Sequence, residues 1–109
     1  MSFQASRGVA PDEPVEVDVV PPTTVLNGQV TLTGTPAVDP LAGAATPIKS
    51  VTIENPSTNA VVYVGNNGVT VANGYRLQPG ATVSLDIDDL NKVNVTGTAG
   101  NVVSWIAVN

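Results

Sequence analysis

Asp86, Asp88 and Asp89, with Asn91 just beyond, crowd four oxygen-bearing side chains into one short stretch. A hard cation such as Ca²⁺ takes six to eight oxygen ligands, so this is the place where a metal would first be sought. The spacing is wrong for the EF-hand loop, which needs a central Gly and a bidentate Glu at its twelfth position. The plainer reading puts Asp86 on the solvent face of a strand and lets Asp88 and Asp89 cap the turn after it. On that reading no metal and no cofactor is expected.

Other chemistry has less to work with. The chain contains no Cys and no His, which removes disulfides, thiolate nucleophiles, imidazole bases and the ligands most transition-metal sites use. No Ser stands in a G-x-S-x-G elbow, so acyl transfer is unsupported. A pair of carboxylates flanking a sugar would want a cleft with aromatic platforms, and only Trp105, Tyr63, Tyr75 and Phe3 are aromatic. No catalytic residue is assigned and the protein is expected not to be an enzyme.

The net charge is −5, and the four cations, Arg7, Lys49, Arg76 and Lys92, stand singly along the chain. Phosphate neutralisation supplies most nucleic-acid affinity, so no nucleic-acid partner is expected. No stretch approaches the ~18 apolar residues of a membrane span, and no basic region followed by an apolar run opens the sequence. Neither membrane insertion nor a signal peptide is expected.

The 109 residues allow one modest core. Apolar residues make up 42% of the chain but aromatics only 4%, so Val, Leu, Ile and Ala must fill that core. Val is stiff at χ1 and fits a pleated surface, and ten Gly with nine Pro punctuate many turns. The expectation is an all-β chain: a small antiparallel β-sandwich or a jelly-roll-like barrel.

Residues 1–22 read as an extended, acidic, Pro-rich arm and residues 23–109 as the sandwich domain. The arm holds Asp12, Glu13, Glu16, Asp18 and four prolines. Val15, Val17 and Val19 alternate with Glu16 and Asp18 at a strand's period, so this segment is suited to join a sheet of its own subunit or of a neighbour. In the sandwich, Thr24 to Leu26 and Gln29 to Thr33 read as strands joined by a type I′ turn at Asn27-Gly28. Gly34 to Pro47 reads as a loop. Strands are then expected over Ile48–Glu54, Ala60–Val64, Val69–Val71, Tyr75–Leu77, Thr82–Asp88, Val93–Thr96 and Val102–Val108, with one helical turn at Asp88–Asn91. Gly28, Gly74 and Gly80, each after Asn or Pro, are expected at positive φ.

The terminal run Val102–Val108 is apolar on both faces, which suggests a partner beyond it. Trp105 has two readings there, as core or as an interface anchor. The candidate interface residues are Val15, Val17, Val19, Trp105, Ile106 and Val108.

The segment from Ser50 to Asp86 also resembles small phage virion β-sandwich proteins. The resemblance rests on Ile53 and Asn55, Val62 to Gly65, Gly68 to Thr70, Asn73-Gly74-Tyr75 with Leu77, and Pro79-Gly80 with Val83 and Leu85. It extends more loosely over residues 24–109 and leaves the arm uncovered. It implies a bacteriophage structural protein of the virion, either a head decoration protein or the base of a fibre or spike. The expectation is a capsid decoration (cement) protein on the outer surface of the phage head, made in the host cytoplasm, stabilising the assembled head. Its partners would be the major capsid protein and further copies of itself, as a homotrimer. The alternative is a fibre or spike module involved in host attachment.

Overall fold

The computed structural model describes residues 21–109. The arm segment before Pro21, with Val15, Val17 and Val19, lies outside the described residues.

Eight strands follow in order: β1 (Val25–Thr31), β2 (Asp39–Pro40), β3 (Ser50–Glu54), β4 (Val62–Gly65), β5 (Tyr75–Leu77), β6 (Thr82–Asp86), β7 (Asn94–Thr96) and β8 (Val102–Val108). One 3₁₀ turn, Leu90–Lys92, precedes β7. The strands make two four-stranded sheets, ordered β1-β8-β3-β6 and β2-β7-β4-β5, and every pairing is antiparallel.

That order has a simple origin. β1 pairs with β8, β2 with β7, β3 with β6 and β4 with β5, so the chain is one long antiparallel ribbon whose far end is the β4–β5 hairpin. Rolling the ribbon brings β3 beside β8 and β4 beside β7, which is the eight-stranded jelly roll. The all-β sandwich expected from the alternation is therefore the fold found.

Alternation decides what lies between the sheets. On β3, Val51 and Ile53 are buried while Thr52 and Glu54 face out; on β4, Val62 and Val64 do the same. Leu32, Leu41, Ile48, Leu77, Leu90, Val93, Val95, Val103 and Ala107 complete the core, which contains no fully buried aromatic ring. Such side chains each contribute about 1.5–3 kcal/mol on burial.

Three expectations fail locally. Asn27-Gly28 is not a turn: β1 runs through it without a break, with Asn27 opposite Ile106 and Gly28 opposite Trp105. Leu26, Gly28 and Val30 form an unbroken inward row, and pairing along all of β8 outweighs the local turn preference of the dipeptide. Gly28 is required for another reason, since a Cβ there would lie 2.8 Å from Cζ2 of Trp105. Second, Val69–Val71 is not a strand: the chain runs irregularly through Val69 and Thr70 into a turn over Val71–Asn73, where the Thr70 amide donates to Asn73 Oδ1 and the Gly74 amide to the Thr70 carbonyl. Third, the segment Gly34–Pro47 is not all loop, because β2 lies within it and pairs with β7. Of the three glycines expected at positive φ, Gly80 has it, at 84°, and Gly28 and Gly74 do not.

A candidate docking groove at the open side of the sandwich

Among the described residues, β6 ends one sheet and β5 ends the other, each with a strand partner on one side only. β5 has three residues against five on β6, so it covers only part of the apolar row that β6 turns inward. Val83, Leu85 and Ile87 are consequently half-buried although their alternation with Thr82, Ser84 and Asp86 is faultless. The space between is a groove of about 440 Å³ lined by these three with Val64, Gly65, Asn66, Tyr75, Lys92 and Val93. Tyr75 stands at its mouth, 61% exposed.

A polar hub at the end of β3, where turn chemistry is expected from Asn55-Pro56-Ser57, ties the two sheets together. Asn55 follows Ile53 on the inward side of β3 and is fully buried. Its amide donates to the carbonyls of Leu77 (2.8 Å) and Ala60 (3.0 Å), and its Oδ1 accepts from Asn59 Nδ2 at 2.9 Å. Asn59 also donates to the Val102 carbonyl at 2.7 Å. The backbone of Asn55 is held by Ala81 and Gly80. One side chain thus ties the end of β3 to β5 in the other sheet through a buried bond to the Leu77 carbonyl and a part-buried one to Ala60.

The acidic cluster is structural in its contacts. Asp89 caps the 3₁₀ turn through Oδ1, which accepts from the Asn91 amide at 2.9 Å and from the Thr46 amide at 3.0 Å. These backbone bonds, Thr46 first, hold its carboxyl below the ordinary value of 3.8. Asp88 instead pairs with Lys92 at 2.9 Å, and that hydrogen bond raises the lysine's pKa. Asp86 lies on the outer face of β6. Among the described residues no group of three or more metal-ligating side chains converges, and no helix is long and apolar enough to cross a membrane.

The aromatics do not form one patch. Trp105 packs inward against the core, over Gly28, and its Nε1 is buried with no hydrogen-bond partner among the described residues. Tyr63 lines a separate concavity of about 590 Å³ with Gly34, Thr35, Ala60, Val61, Val71, Gly97, Thr98 and Ala99, where no charged side chain takes part. Tyr75 belongs to the groove. Of the other candidate interface residues, Ile106 is 51% exposed on the outer face of β8 and Val108 is half-buried there. With Val25, 63% exposed on β1 and opposite Val108, they make an apolar stripe bordered by Asn27, Ser50 and Thr52.

No protein-family model matches this chain, and no curated protein matches it significantly. Among solved structures, the fold is similar to the stem and receptor binding domain of the spike protein P1 from bacteriophage PM2, with a TM-score of 0.55 and 16% sequence identity. The similarity covers 77% of this chain and 32% of that one, so the chain spans about a third of the length of that spike chain. What the two share is the fold.

Proposed function

We propose that this protein is a structural module of a phage virion, and that it belongs to a spike or fibre that takes part in host attachment. The observation that carries this reading is the fold likeness to the stem and receptor binding domain of a phage spike, over 77% of the chain. The resemblance of residues 50–86 to virion β-sandwich proteins supports the virion role and fits a head decoration protein or a spike base equally. A jelly roll hosts many functions, so the fold alone does not decide among them. Two surfaces suit attachment: the uncharged concavity around Tyr63 and Val71, and the groove under Tyr75.

A second reading is favoured by a separate observation. The outer face of the β1-β8-β3-β6 sheet presents Val25, Val102, Ile106 and Val108 among Ser, Thr, Asn and Gln, and among the described strand residues Glu54 and Asp86 are its charged ones. Such a face suits a flat, largely dry contact with a shell lattice. On this reading the chain is a cement protein, bound as a homotrimer to the major capsid protein of the assembled head. In either reading the protein is a virion component made in the host cytoplasm.

Particles lacking the protein separate the two. The attachment reading expects particles of unaltered heat resistance that adsorb poorly to cells, with adsorption of complete particles inhibited by added free protein. Particles that adsorb normally but release DNA at lower temperature would replace it with the cement reading.

A further inference from the structure

We propose that residues 15–19 of one copy of the chain lie in extended form along the groove between β5 and β6 of a second copy, so that subunits are linked by exchanged arms. The inference does not depend on where on a particle the protein sits.

The groove and the segment fit in period, length and charge. Its floor is set by Val83, Leu85 and Ile87, three apolar side chains two residues apart. Val15, Val17 and Val19 carry the same spacing, and five extended residues span ~13–17 Å, the run from Val83 to Ile87. A strand that turns its valines to the floor turns Glu16 and Asp18 outward. On that outer side β5 carries Arg76, exposed and opposite Tyr63, while Lys92, already paired with Asp88, stands beside the groove. On the other flank β6 shows Asp86 outward, so the acidic strand favours the β5 side. Among the described residues β5 has a strand partner only in β4, and a short unpaired edge is where an extended peptide adds.

The chain's own geometry assigns the donor to a second copy. The Thr23 amide donates to the Asn109 carbonyl at 2.8 Å, which anchors the start of β1 at the far edge of its sheet. From β1 to β6 is three strand spacings, ~14 Å, and reaching between the sheets adds half of a ~10 Å separation. The four residues from Val19 to Thr23 span at most ~14 Å when fully stretched. The direct path is filled by Thr46–Ile48 and the Asp89–Lys92 turn, which are bonded to each other. A detour around them exceeds that reach, whereas a neighbour can present its groove to the arm without it. Donation from each copy to the next is head-to-tail, and closes into a ring when the rotation permits.

The absence of Cys permits a direct test with full-length chains. One chain carries Val17→Cys and a second carries Leu85→Cys; they are mixed at micromolar concentration and oxidised. Disulfide-linked pairs should form at least tenfold faster than between Val17→Cys and Val25→Cys chains, because Val25 lies on the opposite edge. Equal rates would overturn the proposal. In parallel, Val17→Asp, which changes only the arm, should convert an oligomer to a monomer in sedimentation while the chain still unfolds in one cooperative transition, with a melting temperature that no longer depends on concentration. An unchanged sedimentation coefficient would overturn it as well.

Discussion

Replacing Asn55 with Ala tests how the two sheets are held together. The substitution deletes two donated hydrogen bonds, to Leu77 and Ala60, and one accepted from Asn59. A net hydrogen bond is worth about 1 kcal/mol, and a buried carbonyl left unpaired costs about 1–3 kcal/mol. Asn59 keeps its bond to Val102, so the loss falls mainly on the Leu77 and Ala60 carbonyls. With the Leu77 carbonyl buried at about 1–3 kcal/mol and the part-buried Ala60 carbonyl at about 1 kcal/mol, the loss is about 2–4 kcal/mol, a large part of the 5–15 kcal/mol typical of a domain. In urea the midpoint should fall with little change in slope, and the melting temperature should drop by ~10–20 °C. Asn55→Asp sharpens the test: it keeps the shape and the acceptor but, when ionised, puts negative charge against two carbonyls. It should destabilise at least as much at pH 7 and recover part of the loss on acidification. A loss below about 1 kcal/mol for Asn55→Ala would refute the hub.

Four further outcomes are expected. Gly28→Ala should destabilise by about 1–3 kcal/mol through the clash with Trp105, and the penalty should shrink in a Trp105→Leu background; an additive double mutant would show that the ring is not the cause. Gly80→Val should cost on the order of 1–3 kcal/mol, because φ is 84° there, and an unchanged melting temperature would contradict that geometry. Asp89→Ala should lower stability at neutral pH. The folded carboxyl titrates below its ordinary value of 3.8, so its stabilisation is complete above the unfolded value and lost as pH falls through the folded one; the difference in melting temperature between wild type and variant should shrink steadily on acidification below the ordinary carboxylate range. Trp105, the only Trp, should emit at short wavelength in the folded protein and shift red on unfolding; emission already at the wavelength of exposed indole would place it outside the core.

The strands that read well from the sequence are those whose alternation is backed by burial on one face. β3, β6 and β8 have Val51 and Ile53, Val83 and Leu85, and Val103 and Ala107 on the core side, and a shift by one residue would expose them. Asn27-Gly28 misled because its local preference is real; the competing term, pairing with all of β8, is non-local. Asn55 illustrates a signal present but unread. The period of Val51 and Ile53 places it inward, and a polar residue at an inward position must find partners in the fold. The groove was not legible, since Val83, Leu85 and Ile87 look like any buried row. Only the shortness of β5 across from them leaves the row half-covered, and that depends on the sheet order. The acidic run was legible as caps for Asp89, because an Asp before a turn accepts backbone amides.

The central claim is that this jelly roll is built into a phage particle as part of its attachment apparatus. Cryo-EM of intact particles, with antibody raised against residues 21–109 marking the protein, tests it most directly. Label and matching density are expected at spikes or fibres, in a fixed copy number per particle. Particles free of the protein would contradict the virion role, and density spread over the faces of the shell would contradict the attachment role.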